Sequence, residues 1–172
     1  MPGGRGDAIP TPAPAPASAA NGAAAGGSGS SGSGGSGGTS ARPPVHYAGG
    51  TFAWPVPGGY ISQYFHYGHE ALDIAADMGS RVDAVAAGTI IFAGWKNNGG
   101  GYQVWIAHGS NIYTAYYHRS AVTVGIGQHV DRAQQIGRVG MTGWATGPHT
   151  HFEVWIGPIM AGGYRVNPLG YF

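Results

Sequence analysis

Residues 46–172 predict an all-β domain with a mostly antiparallel sheet, and three observations predict it. Short runs rich in β-branched and aromatic residues recur between glycines. No long stretch repeats its apolar residues at helical spacing. All five Trp, five Phe, ten Tyr and eight His fall at or after His46, so one region carries both the core-forming and the chemically active side chains.

The elements follow in chain order. Residues 1–45 are Ala/Pro-rich, then Gly/Ser-rich, and have little to bury against the entropy of ordering them. They are expected to form a disordered tether, locally extended near residues 10–16 and a loose coil beyond. Arg5-Gly6-Asp7 matches an adhesion tripeptide, but so short a match in a low-complexity tail carries no function. Within 46–172, residues 81–85, 89–93, 102–108, 111–118 and 150–155 read as strands. Gly99-Gly100-Gly101 and Gly125-Ile126-Gly127 read as turns between strands. The chain contains no internal repeat.

Composition excludes several function classes. Only 9% of residues are charged, the net charge is +1, and Lys96 is the single lysine, so no basic stripe exists to neutralise nucleic-acid phosphates. Zero cysteines remove disulfides and thiolate metal sites. No apolar run reaches the length of a membrane-spanning helix. The first residues lack a charged stretch followed by an apolar core, so no export signal is expected in the chain as it stands.

The chemistry-bearing residues cluster in three places. In Gly147-Pro148-His149-Thr150-His151-Phe152-Glu153-Val154, the two-residue period of a strand points His149 and His151 one way and Thr150 and Phe152 the other. Two imidazoles on one face can share a metal, or one can bind while the other moves a proton; a plain hydrophilic strand edge is the bland alternative. His69 and Asp73 are four residues apart, a spacing that shares a face on a strand or a helix. Imidazole and carboxylate both suit zinc, and three protein ligands with one open position are the pattern of a catalytic site. His69-Glu70-Ala71-Leu72-Asp73 also looks like a helical zincin motif with its last ligand replaced, which would make Glu70 the base. Gly68 and Gly79 leave too little room for the long helix that reading needs.

Taken in order, His69 to Asp73, Tyr116-Tyr117-His118 at a strand end, and Gly147 to Glu153 resemble the three motifs of lysostaphin/LytM-type zinc metallopeptidases. The similarity continues through Gly79-Ser80-Arg81-Val82, Ala87-Gly88-Thr89-Ile90, Ala93-Gly94-Trp95 and the glycines 99–101. It extends through Gly127-Gln128-His129-Val130, Gln135-Ile136-Gly137, Gly140-Met141-Thr142-Gly143 and Asn167-Pro168-Leu169. Residues 127–130 and 135–137 resemble further strands of that family. Ala71 stands where glycine is usual and Thr150 where leucine is usual; neither position is a ligand.

What the resemblance implies is specific. The fold would be the family's antiparallel sheet with a groove holding one zinc ion, over residues 46–172. His69, Asp73 and His151 would be the zinc ligands, and His118 and His149 the catalytic imidazoles beside it. The activity would be endopeptidase hydrolysis of stem peptides or cross-bridges in bacterial peptidoglycan, by an extracytoplasmic and monomeric enzyme. An inactive relative that activates a cell-wall amidase is the alternative, but such relatives lose ligands or catalytic histidines, and all five are present here. A metal-dependent carbohydrate-binding β-domain is a third reading.

Other residues receive plainer expectations. His46 should be solvated, His66 at the surface or just outside the ligand shell, and His129 exposed. His108 reads as a turn residue after its strand. One of Tyr60, Tyr64 and Tyr67 is the expected partner for an oxyanion. Trp95, Trp144 and Trp155 would floor a peptide groove or, more simply, fill the core.

Overall fold

A computed structural model of the chain describes residues 51–172; the expected tether and His46 lie outside them. Ten strands follow in order: β1 (Tyr60–Gln63), β2 (Leu72–Ala75), β3 (Arg81–Asp83), β4 (Gly88–Lys96), β5 (Gly101–Ala107), β6 (Ile112–Val122), β7 (His129–Val130), β8 (Gln135–Val139), β9 (His149–Ile156) and β10 (Tyr164–Val166). A 3-10 turn, Pro168–Tyr171, closes the chain, its N-cap Asn167 accepting from the Leu169 amide at 3.1 Å. No α-helix is present among the described residues; residues 67–68 form a turn, His69 pairs back to His66 and 70–71 lead irregularly into β2, which removes the zincin reading.

All strand pairs are antiparallel, and the main path runs β1-β2-β9-β6-β5-β4-β7. Strand β9 lies near the middle of this path. Its first half pairs with β2 (Asp73 opposite His151, Ala75 opposite His149), and its second half with β10 on the same edge. Along its other edge runs β6, ending at Tyr117 opposite His151. Strand β6 then leaves β9 and pairs with β8 from Arg119 onward.

His118 falls at that changeover. Its φ is 66°, and its amide donates to the Gly100 carbonyl at 2.9 Å. A left-handed φ at a non-glycine costs energy and is kept only where neighbours over-determine it. The expected strand end is therefore a bend inside an 11-residue strand, because β6 has two partners in succession. Gly140 makes the bend possible: a Cβ there would collide with the backbone of His118, Arg119 and Ser120.

Strand alternation divides the side chains between two clusters. Leu72, Ile74, Val104, Ile106, Tyr116, Phe152 and Val154 build the main core on one face, joined by Phe52, Val56, Val82, Ile90 and Ile136. Trp105, Ala115, Tyr117, Trp155 and Ile159 form a smaller cluster on the other. Burying each large apolar side chain contributes about 1.5–3 kcal/mol, so the main core sets the position of β9 within the sheet. Thr150, next to the histidine pair, is fully buried, as the strand period requires.

Candidate metal centre

The face opposite the main core carries the histidines. Asp73, His151 and Tyr117 form a row across β2, β9 and β6, since each stands opposite the next in register. His149 precedes His151 by one strand period, and the bend in β6 turns His118 toward both: ring centroids lie 4.8 Å from His149 and 5.9 Å from His151. His69 enters from the turn before β2, where it bridges back to His66 through paired backbone hydrogen bonds of 2.9 Å. It is therefore not on the same strand as Asp73. The five residues expected at the site all line one cavity of about 580 Å³.

Three donors converge. One ligand atom each from His69, Asp73 and His151 can be chosen so that all lie within 4.8 Å of one another. Asp73 Oδ1 is 2.8 Å from His151 Nδ1 and 3.2 Å from His69 Nε2. His69 Nε2 is buried and makes no hydrogen bond, despite its closeness to Asp73. A buried ring nitrogen left without a hydrogen-bonding partner, aimed at a carboxylate and a second imidazole, is what a metal ligand looks like without its ion. The donor set of two nitrogens and one oxygen fits zinc.

Backbone carbonyls set the tautomers. His69 Nδ1 reaches the Tyr64 carbonyl at 3.1 Å, His118 Nδ1 that of Thr142 at 2.7 Å, and His149 Nδ1 that of Gly147 at 2.8 Å. A carbonyl can only accept, so each Nδ1 carries the proton and each Nε2 presents a lone pair. His118 and His149 thus present Nε2 lone pairs beside the three-donor cluster. Burial pushes the His118 imidazole down to about 4, outweighing its bond to Thr142. Burial also lowers His151, but hydrogen bonds and charge from Asp73 and Glu153 outweigh it and hold the ring at about 9. For Asp73, burial raises the carboxyl, while His151 and the other imidazoles pull it below the usual carboxylate range.

Sequence reasoning missed what stands behind His151. Glu153, 5% exposed, accepts from Tyr117 Oη and Trp155 Nε1, each at 2.7 Å, and its Oε1 lies 3.4 Å from His151 Nε2. Arg165 of β10 places Nε 3.0 Å from Glu153 and Nη1 2.6 Å from Glu70. Burial raises the Glu153 carboxyl, but His151, Tyr117 and Arg165 together pull it down. The two-residue period was the available signal, since residues 149, 151 and 153 share a face. Nothing local points to Arg165.

Several expectations change. Tyr60, Tyr64 and Tyr67 do not line the cavity; Tyr117 does. Tyr64 contributes its carbonyl to His69 instead. His108 is no simple turn residue: Nδ1 donates to the Ala87 carbonyl at 2.9 Å, leaving Nε2 to accept from the Thr114 hydroxyl at 2.7 Å. Of the tryptophans, Trp155 is buried, Trp95 is exposed, and Trp144, 87% exposed, flanks the cavity by lying against Gly99. His66 and His129 are exposed as expected.

The profile described as Peptidase family M23 matches residues 64–168. Lysostaphin of Staphylococcus simulans is 38% identical over 100 residues, which cover 58% of this chain and 20% of that protein. The DD-carboxypeptidase/endopeptidase Mpg of Neisseria meningitidis is 42% identical over 101 residues, 59% of this chain and 22% of its own. The chain thus spans about a fifth of the length of these relatives. Among solved structures, Helicobacter pylori Csd3 superposes with a TM-score of 0.61 at 35% identity, covering 73% of this chain and 35% of that one. The structure of S. simulans lysostaphin gives 0.59 at 31% identity, covering 66% and 47%.

Proposed function

The chain belongs to peptidase family M23, and on that footing we propose that it is a zinc-dependent endopeptidase cleaving peptide bonds in the stem peptides or cross-bridges of bacterial peptidoglycan. That substrate lies outside the cytoplasmic membrane, so the enzyme would act in the periplasm, the wall or the medium. The observation that carries the reading is the convergence of two imidazole lone pairs, from His118 and His149, on the cluster of His69, Asp73 and His151.

His69, Asp73 and His151 would hold the zinc. Bound there, the ion supplies Lewis acidity, which polarises a peptide carbonyl and makes water easier to deprotonate near neutral pH. Either His118 or His149 would take the proton from the attacking water at Nε2 and return it to the leaving amine. Both can do so because their Nδ1–H groups are committed to backbone carbonyls. Once protonated, either Nε2–H can also stabilise the oxyanion. Gln63, Gly68, Asn98, Gly99, Gly100 and Trp144 line the same cavity as the five site residues, and an extended peptide would lie among them. Two relatives' descriptions support peptide-bond cleavage: lysostaphin, described as an antimicrobial peptidase, and the glycyl-glycine endopeptidase ALE-1 of Staphylococcus capitis, 37% identical over 89 residues.

The deciding experiment combines zinc content by atomic spectroscopy, loss of turbidity of purified cell walls, and mass spectrometry of the products. One zinc per chain with newly cleaved peptide bonds is expected. No bound metal and no cleavage with zinc added would sink the proposal. Wall binding without cleavage would instead favour an amidase activator or a carbohydrate-binding domain.

A further inference from the structure

We infer that Glu153 is a positioning residue of the metal centre, acting through His151; this rests on the proposed role of His151 as a ligand. The His151 ring places Nδ1 2.8 Å from Asp73 Oδ1, on the side of the three-donor cluster, and Nε2 on the opposite side, 3.4 Å from Glu153 Oε1. An imidazole that ligates through Nδ1 must keep its proton on Nε2, and that proton needs an acceptor. Glu153 supplies it. Without an anion there, the ring can flip or exchange tautomers, and the lone pair no longer faces His69 and Asp73.

The carboxylate is itself held on every side. Tyr117 Oη and Trp155 Nε1 both donate to Oε2 at 2.7 Å, which leaves Oε1 for His151 and Arg165. Arg165 lies with its guanidinium 4.8 Å over the Trp155 ring and shares its charge with Glu70 on the turn that carries His69. Three elements therefore meet at one buried carboxylate: β6 through Tyr117, β9 through Glu153 and Trp155, and β10 through Arg165, which in turn ties it to Glu70 beside His69. An ion pair that merely buried Arg165 would need neither the neutral donors on Oε2 nor an oxygen left facing His151.

The test uses the full chain stripped of metal, with zinc affinity measured by competition with a chromogenic chelator. Glu153→Gln is expected to weaken zinc about 10–100-fold, as loss of such outer carboxylates does. Thermal melting of the stripped variant records any purely structural loss separately. Unchanged zinc affinity, whatever the melting temperature, overturns the role. A second measurement needs no variant: histidine ¹⁵N shifts of the zinc-loaded chain should show His151 metal-bound at Nδ1 and protonated at Nε2. The reverse assignment overturns the inference even if Glu153→Gln fails to fold. Failure of the unmodified chain to bind zinc overturns the proposed metal centre and this role with it. Zinc binding that Glu153→Gln leaves intact overturns this role alone.

Discussion

At the scale of single residues, the proposed division of labour between His149 and His151 rests on what each ring touches. His151 touches two carboxylates, Asp73 at 2.8 Å and Glu153 at 3.4 Å, whereas His149 bonds the Gly147 carbonyl through Nδ1 and its Nε2 stands back from Asp73 at 3.8 Å. His151→Ala should therefore lose both zinc and wall cleavage. His149→Ala should keep its zinc while turnover falls about 10²–10⁴-fold, the usual worth of a general acid or base. Metal content and single-turnover rates measured side by side check this, and equal loss of zinc in both variants would refute the division. His108 belongs to a different system. Burial lowers its pKa below the ordinary imidazole value, and its Nε2 must stay unprotonated to accept from Thr114. The unfolded chain then binds a proton at a pH where the folded chain does not, so this contribution is intact above about pH 6.5 and is lost as pH falls below it. In metal-stripped protein, His108→Gln should melt lower at pH 7.5, by about 1–3 kcal/mol of stability. It should also lose less than the unmodified chain between pH 7 and 5.

At the scale of elements, the bend in β6 does what a regular strand could not. By pairing first with β9 and then with β8, it frees His118 from the ladder and turns its ring toward the histidine pair. Gly140, at the end of β8, permits the close backbone approach. Gly140→Ala would force a Cβ into the peptides on either side of Arg119 and move His118 without touching a ligand. Zinc affinity should hold while kcat falls, by about 100-fold if the ring shifts by an ångström. A kcat like that of the unmodified enzyme would show that the bend tolerates the methyl.

At the scale of the whole molecule, the boundary of the fold lies upstream of the family match. That match begins at residue 64, yet Phe52 and Val56 are buried. The Phe52 ring stacks on Tyr171 at 5.1 Å, its amide donates to the Tyr171 carbonyl at 3.1 Å, and Pro55 accepts from the Asp83 amide at 2.8 Å. The N-terminal segment and the closing turn thus seal the main core together. We propose that a chain beginning at residue 46 melts cooperatively at the temperature of the full chain. A chain beginning at residue 64 should lose about 1.5–3 kcal/mol for each of Phe52 and Val56, together with β1, and fail to melt cooperatively. Calorimetry of the two truncations decides the point; equal melting temperatures would move the boundary downstream.

From glycine-bounded β-rich runs the sequence predicted the fold class, and through the order of its family-like motifs it proposed His69, Asp73, His118, His149 and His151 as the chemical set. It did so because strand period and motif order are local properties of the chain. β1, β2 and β10 did not read as strands: four residues or fewer give too short a pattern, and pairing with β9 or with one another makes them strands. That Tyr117 rather than an earlier tyrosine lines the cavity, that His108 bonds to Ala87 and Thr114, and that Glu153 and Arg165 stand behind His151 emerged with the folded chain. Tyr117 with Glu153, His108 with Ala87 and Arg165 with Glu70 are far apart along the chain, and antiparallel register, fixed by which face the main core buries, helps bring such residues within hydrogen-bonding distance.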